Sequence, residues 1–254
     1  MRKAFAITAT IGALALFALP AVAFAQDAAA AAGAGAGGGM MGGSMSGRAI
    51  QLVLMLTVLS LAPGILMTVT SFTRIVVALS LLRNGLGVQG VPPNPVIISL
   101  AMFLSFFVMG PTFEAAWKQG VTPYNEGRIS ETQALDRASR PFHSFMLKQV
   151  RDQDLNLFVQ LSGKTPASRA ELPMTTLMPA FMISELRRAF EIGFLLLLPF
   201  LVIDMAVAAV LMAMGMMMLP PATISLPMKI IFFVLVDGWA LIAGALVKSF
   251  GGVG

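Results

Sequence analysis

The chain has 254 residues, of which 57% are hydrophobic and only 11% are charged, and its mean hydropathy is +0.84. A soluble domain usually carries roughly 25% charged residues, so we expect an integral membrane protein. The lack of cysteine and the single histidine exclude disulfides, thiolate chemistry and zinc ribbons, and we expect neither enzyme activity nor a cofactor. Without Arg2 and Lys3 the net charge of +5 falls to +3, which is too little for nucleic-acid binding.

Residues 1–25 have the pattern of a cleavable signal peptide. Two basic residues precede an apolar run from Ala4 to Leu19, a proline breaks the run, and Ala23-Phe24-Ala25 supplies a cleavage site. The mature chain is then expected to start near Gln26, with its N-terminus outside the cytoplasm. The alternative is an uncleaved first transmembrane helix, for which the apolar run is short.

Residues 26–48 are almost entirely Ala, Gly, Met and Ser, and we expect a flexible tether there. Gly33, Gly35 and Gly38 formally satisfy the dinucleotide-binding pattern G-x-G-x-x-G. No strand signal precedes them and no amphipathic helix follows, so the context that a phosphate-binding loop needs is missing. The rest of the sequence contains no P-loop and no acidic metal cluster, so neither nucleotide nor metal binding is predicted.

Four apolar blocks define two predicted helical hairpins, residues 49–113 and 189–254. The blocks are Ile50 to Val69 with a weak continuation through Ile75 to Leu82, Val96 to Phe113, Ala189 to Leu219, and Ile230 to Val247. A membrane-crossing helix needs about 20 apolar residues, so the second and fourth blocks are near the minimum length. The third block has 31 residues, more than one simple crossing needs, and Pro199 inside it predicts a kink or a break.

Between the hairpins, residues 114–188 hold ten basic and eight acidic residues without a run of either sign. We predict that this region folds as a small helical domain. Ser130 with Gln133 has the form of a capping box that opens a helix, and Pro141 should end or bend that helix. Thr165-Pro166 has the form of another helix start.

The signal peptide also predicts the side of the membrane on which each region lies. With the N-terminus outside, an even number of crossings returns residues 114–188 to the periplasm. The loop between the first two blocks, with Arg74 and Arg83, is then cytoplasmic, in agreement with the positive-inside tendency. The basic residues of 114–188 do not contradict this topology, because the rule applies mainly to loops shorter than about 60 residues.

Several ionisable side chains lie inside or beside the apolar blocks. Asp204 lies in the third block and Asp237 in the fourth, with Lys229 just before the fourth. An ionisable group in hydrocarbon costs at least roughly 2.5 kcal/mol, so each is either a functional residue or a charge that neighbouring helices or subunits satisfy. In a straight antiparallel hairpin Glu185 could not reach Lys229, so we predict that the two pair between adjacent copies and fix the register of a ring. The alternative is that both face water or lipid headgroups and contribute little.

A methionine-rich segment, Met212 to Met218, is followed by Pro220-Pro221, which should end the helix of the third block. On a helix, Met216, Met217 and Met218 would point in different directions, so one buried face cannot account for all of them. Flexible, polarizable and apolar side chains suit a deformable seal, and we predict that these three residues form one. The alternative is ordinary core packing.

Three long stretches of the chain carry a family resemblance. They are SFTRIVVALSLLRNGLG (Ser71 to Gly87), SELRRAFEIGFLLLLPFLVIDMAVAAVLMAMGMMMLPPATISLP (Ser184 to Pro227) and VDGWALIAGALVKSF (Val236 to Phe250). Over about residues 52–250 the chain resembles the FliP family, inner-membrane proteins of the bacterial flagellar type III export apparatus. Related proteins serve virulence type III secretion systems, and the signal peptide favours the flagellar branch. The tether has no recognised counterpart.

The resemblance implies a role that composition could not indicate. FliP-like chains assemble as a pentamer with FliQ- and FliR-like subunits at the flagellar basal body, alongside other export proteins such as FlhA and FlhB. They form the channel through which unfolded flagellar subunits leave the cytoplasm, driven by partner proteins and the proton motive force. The resemblance also implies bent helical hairpins, with the loop at Met216, Met217 and Met218 acting as a gasket that closes the pore.

Two other functions stay open at this point. Asp204 and Asp237 would serve a small transporter as a proton or ion relay, which predicts inverted repeats, although no similarity between the two halves is visible. A purely structural scaffold of the basal body, without a pore of its own, is the other alternative. Conductance of the purified assembly separates the scaffold from the gate.

Overall fold

The computed structural model describes residues 67–88, 90–163, 168–216 and 219–251, together with positions 53, 56, 57, 60 and 64. The predicted signal peptide, the tether, most of the first apolar block and Thr165-Pro166 lie outside the described residues. Every described position from 53 to 69 is helical. From residue 67 onward the chain forms one compact unit.

The described part of the chain is all helical and contains no strand, so the predicted all-α class is confirmed for these residues. After the helical positions between 53 and 69, the helices are, in chain order, α1 (Phe72–Leu86), α2 (Asn94–Ala116), a π-helical turn (Trp117–Val121), α3 (Thr122–Asn125), α4 (Glu131–Gln149), α5 (Asp152–Ser162), a 3₁₀ turn (Arg169–Glu171), α6 (Met174–Ala213), α7 (Pro221–Leu235) and α8 (Gly238–Lys248).

Two of the described helical stretches are long and apolar enough to cross a membrane. They are Asn94–Asn125, which runs from α2 through α3, and the 40-residue α6. Helices α7 and α8 make a third span if the pair, bent by 66°, counts as one. The four predicted hydrophobic segments are therefore not confirmed: the described residues contain two or three candidate spans, and the fourth block is a bent pair.

Within the described residues, several helices continue through a proline. The predicted capping box is confirmed, because Ser130 Oγ accepts from the Gln133 amide and Gln133 Oε1 accepts from the Ser130 amide. Helix α4 then continues through Pro141 to Gln149, and α6 continues through Pro199 without a break. Of the two predicted effects of Pro141, an end of the helix is wrong, because aromatic side chains in the following turns pack against α2 and α6 and hold the helix together. A bend at Pro141 stays a prediction.

Helices α1 and α6 run in the same direction and approach each other closely. A Cβ atom at Gly193 would lie 2.2 Å from Leu81 Cδ1, and one at Gly85 would lie 2.4 Å from Leu197 Cδ2. These two contacts have the same offset in sequence, since 193 − 81 and 197 − 85 both give 112, and only parallel helices allow this. Ala189, fully buried, lies one turn before Gly193, so α6 presents a small-xxx-small pattern that lets the two backbones pack tightly.

Two apolar cores stabilise the fold. The first surrounds α1 and combines α1, α2 and α6 to α8, and the second joins α4, α5 and the start of α6. Completely buried members include Ile75 and Leu246 in the first core and Met146, Leu177 and Phe181 in the second. Each such large apolar side chain contributes about 1.5–3 kcal/mol when it leaves water.

The limits predicted for the helical domain, 114 and 188, both fall inside continuous helices. Residue 114 belongs to α2 and residue 188 belongs to α6, which begins at Met174. The region between them therefore shares its first and last helices with the predicted hairpins. The polar part of the chain and the apolar spans are thus joined by uninterrupted helix at both points.

Candidate functional site

Arg74 and Glu185 form an ion pair in which both side chains are 0% exposed. Arg74 Nε donates to Glu185 Oε2 at 2.8 Å, and Nη2 donates to Oε1. This two-pronged geometry matches the guanidinium fork to the carboxylate. The prediction that Arg74 and Arg83 lie in a loop is wrong, because both belong to α1, whose apolar turns carry Arg74 into the interior. The cytoplasmic position predicted for this segment stays a prediction.

Residues from α4 and from the end of the chain complete the site around Arg74. Arg74 Nη1 donates to the Ser249 carbonyl at 3.0 Å and to Ser249 Oγ at 3.1 Å, and Nη2 donates to Gln149 Oε1 at 3.1 Å. The Phe250 ring centre lies 3.7 Å from Arg74 Cζ, a cation–π contact. These residues with Glu185, here called the Arg74 cluster, join α1, α4, α6 and the end of the chain after α8.

A second polar cluster connects α6, α7 and α1. Asp204 Oδ2 accepts from Lys229 Nζ at 2.6 Å, and Asp204 Oδ1 accepts from Ser225 Oγ at 2.6 Å. Lys229 Nζ also donates to the Gly85 carbonyl at 3.1 Å. The Lys229 side chain is 7% exposed and that of Asp204 36%, so the pair is partly screened by solvent in the single chain. We call these four residues the Asp204 cluster.

Helix α6 ends earlier than predicted, and its end involves a glycine rather than the double proline. The Gly215 amide donates to the Met212 carbonyl and the Met216 amide donates to the Leu211 carbonyl, with Gly215 in the left-handed region at φ 73°. This pair of bonds is a Schellman motif, which ends helices where glycine allows a positive φ. Met216 therefore lies outside the helix, and its side chain is exposed. Pro220 does not end α6 but is the N-cap residue of α7. Met217 and Met218 lie outside the described residues.

Asp237 lies at the bend between α7 and α8. Its backbone has φ 50°, and its side chain is exposed on the single chain rather than buried. The next residue, Gly238, is tightly packed, because a Cβ there would lie 2.3 Å from the Phe233 ring. The fourth apolar block is therefore interrupted where a left-handed residue and a glycine meet, and Asp237 occupies the turn.

Glu185 and Lys229 each have a partner of opposite charge within the chain. Glu185 binds Arg74 and Lys229 binds Asp204. A single chain contains no neighbour, so the predicted pairing of Glu185 with Lys229 between copies stays a prediction. In an assembly these two charges would have to share or exchange their partners to form it.

The chain matches a known family over most of its length. The sequence model of the FliP family matches residues 55–246 of this chain. The chain belongs to the FliP family. The resemblance seen in the three sequence stretches is thereby confirmed, and the matched range contains the whole Asp204 cluster, the methionine-rich segment and all of the Arg74 cluster except Ser249 and Phe250.

Relatives of this FliP-family chain come from several bacteria, and each is named flagellar biosynthetic protein FliP. The Caulobacter vibrioides protein is 55% identical over 251 residues, which cover 98% of this chain and 92% of the relative. The Rhizobium meliloti protein is 55% identical over 199 residues, 77% of this chain and 81% of the relative. The Bacillus subtilis protein is 53% identical over 202 residues, 79% of this chain and 91% of the relative. The first alignment is long enough to extend into residues 1–48, beyond the range that the family model matches.

The sequence of this FliP-family chain contains two signals that point to its polar clusters, and the predictions above do not use them. Arg74 is the only charged residue between Ile50 and Leu82, so an apolar block contains one charge that needs a partner. Asp204 and Lys229 lie thirteen and twelve residues from Met217, so a hairpin turning there brings them to the same level. By contrast, nothing local in the sequence indicates Gln149 or Ser249 as partners of Arg74.

Proposed function

We propose that this protein is a pore-forming subunit of the flagellar type III export gate in the bacterial inner membrane. The observation that carries the proposal is its membership of the FliP family across residues 55–246, with a relative that aligns to nearly its whole length. The apolar helices fit a membrane-embedded export protein. The role is conduction of unfolded flagellar subunits rather than catalysis.

The exposed apolar surface of the candidate spans supports a role inside a larger assembly. Only 28% of the apolar window in Asn94–Asn125 and 11% of that in α6 are buried within the chain. Such surfaces need lipid or other helices, since apolar patches of this size are unstable in water. We propose that further copies of the chain, five by the family resemblance, and FliQ- and FliR-like subunits cover part of them, with FlhA- and FlhB-like proteins nearby.

The methionine-rich segment supplies the gate in this proposal. Met216 is exposed just beyond α6, at the tip of the α6–α7 hairpin, where it is free to contact other copies. In a ring of copies, Met216, Met217 and Met218 would form an apolar constriction, and such constrictions close channels by excluding water. The transporter alternative has less support, because the partners of Asp204 are Ser225 and Lys229 and not Asp237.

Deletion of the gene for this chain tests the proposed function. We expect cells without flagella and growth medium without exported rod, hook and filament subunits, and we expect a plasmid copy of the chain to restore both. If flagella persist while a virulence secretion system loses its secreted proteins, the chain belongs to the virulence branch instead. Cells that keep both systems would contradict the export role.

A reporter inserted after Gly163 tests the periplasmic position proposed for residues 114–188. Gly163 ends α5 with a left-handed φ of 64° and is exposed, so an inserted domain should not disturb the helices. We expect alkaline phosphatase, which is active only in the periplasm, to be active there. The same insertion of a reporter active only in the cytoplasm is the control, and its activity would overturn both the topology and the signal-peptide prediction.

A further inference from the structure

An apolar cleft lies between α1, the start of α2 and α8. Its volume is about 160 Å³, and its walls include Leu79 of α1, Leu100 of α2 and Trp239 of α8. The Trp239 ring is held edge-to-face against Phe233, with ring centres 5.3 Å apart, and its side chain remains exposed. An apolar cavity of about 150 Å³ can stay free of water and bind a small hydrocarbon. The cleft therefore suits a hydrocarbon group better than water.

A more polar cleft lies next to the apolar one, and Arg83 in the last turn of α1 lines both. The polar cleft has a volume of about 520 Å³ and is also lined by Asn84, Gly87 and Asn94. On α1, Arg83 follows Leu79 by one helical turn, so the charged residue and the apolar wall are about 6 Å apart along the helix axis. The two clefts together offer apolar walls on one side of a cation and polar walls on the other, as an amphipathic molecule requires.

The guanidinium group of Arg83 has one edge available for an anion. Its hydrogen bonds within the described residues both start at Nη1, which donates to Asn94 Oδ1 and to the Pro92 carbonyl. The ion pairs of the described residues include none with Arg83. The Nε–Nη2 edge is the one through which Arg74 binds both carboxylate oxygens of Glu185. In Arg83 the same edge can bind two oxygens of a phosphate group.

The charges around the two clefts favour a ligand with a net negative charge. Residues 50–113 contain no Asp or Glu, and neither residue type is among the described residues that line the clefts. Another cation, Lys229, has its Nζ 3.9 Å from the position of a Cβ atom at Gly87, but Lys229 is paired with Asp204. A zwitterionic headgroup would bring an ammonium group to a site that lacks a carboxylate for it. An anionic headgroup needs no such partner.

We propose that the two clefts form a binding site for one anionic phospholipid, with its phosphate on the Nε–Nη2 edge of Arg83 and an acyl chain in the apolar cleft. Basic pockets between membrane helices bind anionic lipid headgroups, and tryptophan is enriched at the level of the headgroups. Trp239 and Arg83 line the same cleft, which agrees with that level. The proposal does not depend on conduction, because it concerns lipid binding by the helices alone.

Tryptophan fluorescence tests the site directly, since Trp239 lines the apolar cleft and the chain has one other tryptophan, Trp117. The probe is phosphatidylglycerol with brominated acyl chains, which quenches a tryptophan close to it. In the full-length chain with Trp117→Phe, purified in detergent, we expect quenching at a several-fold lower concentration than with brominated phosphatidylcholine. Arg83→Gln should abolish this preference. Arg137→Gln removes an exposed arginine of α4, so it is the matched control and should keep the preference.

Lipid retained by the purified assembly provides a second measurement. Phospholipids that stay bound through repeated detergent washing are identified by their mass and counted per complex. We expect anionic phospholipid on the original and Arg137→Gln complexes and a loss of it from Arg83→Gln. Val96→Trp should lose it too, because Val96 lines the apolar cleft and is 52% exposed, so a larger ring there fills the cleft without disturbing the core.

Three results would overturn the lipid site. Equal quenching by the two brominated lipids would show that the clefts do not select an anionic headgroup. Equal retention by Arg83→Gln and Arg137→Gln complexes would show that Arg83 does not bind the phosphate. Quenching in the isolated chain without retained lipid in the assembly would show that another subunit, and not a lipid, occupies the clefts.

Discussion

Replacing Arg74 with alanine is expected to prevent stable accumulation of the protein. The change leaves Glu185 as an unpaired charge in a site without solvent exposure, and breaking a buried ion pair in this way costs about 3–5 kcal/mol. The total free energy of unfolding of a typical domain is only about 5–15 kcal/mol, so the loss is a large fraction of it. Thermal unfolding of the purified chain in detergent and its amount in membranes measure the effect.

The exposed pair of Asp136 and Arg140 provides a matched control. It joins the same two charge types one helical turn apart on α4, with both side chains more than half exposed. Arg140→Ala is expected to change the free energy of unfolding by at most about 1 kcal/mol, because surface pairs contribute little. If Arg74→Ala lowers the free energy of unfolding by no more than Arg140→Ala does, the buried pair does not stabilise the fold.

A double replacement separates the cost of an orphaned charge from the value of the pair. Arg74→Met together with Glu185→Leu removes both charges, and such apolar replacements of buried pairs are often neutral or better. We expect the double variant to be more stable than either single one, since the two effects are not additive. We expect the double variant to remain less stable than the original protein, because Gln149 and Ser249 lose the guanidinium group that donates hydrogen bonds to them. Arg74→Lys should not retain the stability of the original protein, because an ammonium group cannot form the two parallel hydrogen bonds that the guanidinium group makes to the carboxylate.

The elements that could be predicted are those with a local signal. The capping box at Ser130 marks the start of α4 because the residues that satisfy the free amides lie next to each other in sequence. Helix ends were predicted less well, since Pro141 and Pro199 remain inside helices that tertiary packing supports. Hydropathy placed the start of the third block at Ala189, but α6 begins at Met174, because Leu177 and Phe181 bury one face of its polar first half. Hydropathy reports preference for lipid and not the limits of a helix.

The polar clusters were only partly predictable because most of their contacts join distant parts of the chain. Arg74 is 75 residues from Gln149, 111 from Glu185 and 175 from Ser249, and no periodic pattern connects such positions. For Asp204 the sequence predicts either a functional residue or a charge that neighbouring helices or subunits satisfy, and its partner Lys229 is 25 residues away across one hairpin. The pairing of Asp204 with Lys229 could therefore be predicted from the sequence. The contacts of the Arg74 cluster could not, because they form only when α1 packs parallel to α6.

Replacing Met216, Met217 and Met218 together with alanine is expected to make the export channel leak small ions while assembly stays normal. The α6–α7 hairpin is held by the Asp204 cluster and by the Schellman motif at Gly215, and neither uses these side chains. Folding should therefore be unaffected. Each replacement shortens a flexible apolar side chain to a methyl group, so a constriction built from several copies would widen and admit water.

Leakage in the methionine variant is measured as growth inhibition and membrane depolarisation at raised salt, normalised to the amount of assembled complex. Met102, Met205 and Met228 are exposed methionines in α2, α6 and α7, so their triple replacement by alanine removes the same side chains elsewhere. We expect several-fold more leakage from the first variant than from this control. Equal leakage from both would show that loss of methionine packing in general, and not a local seal, opens the membrane. Normal conductance in a fully assembled Met216 to Met218 variant would assign closure of the pore to other residues, because no apolar side chain longer than alanine would remain at those three positions to close it.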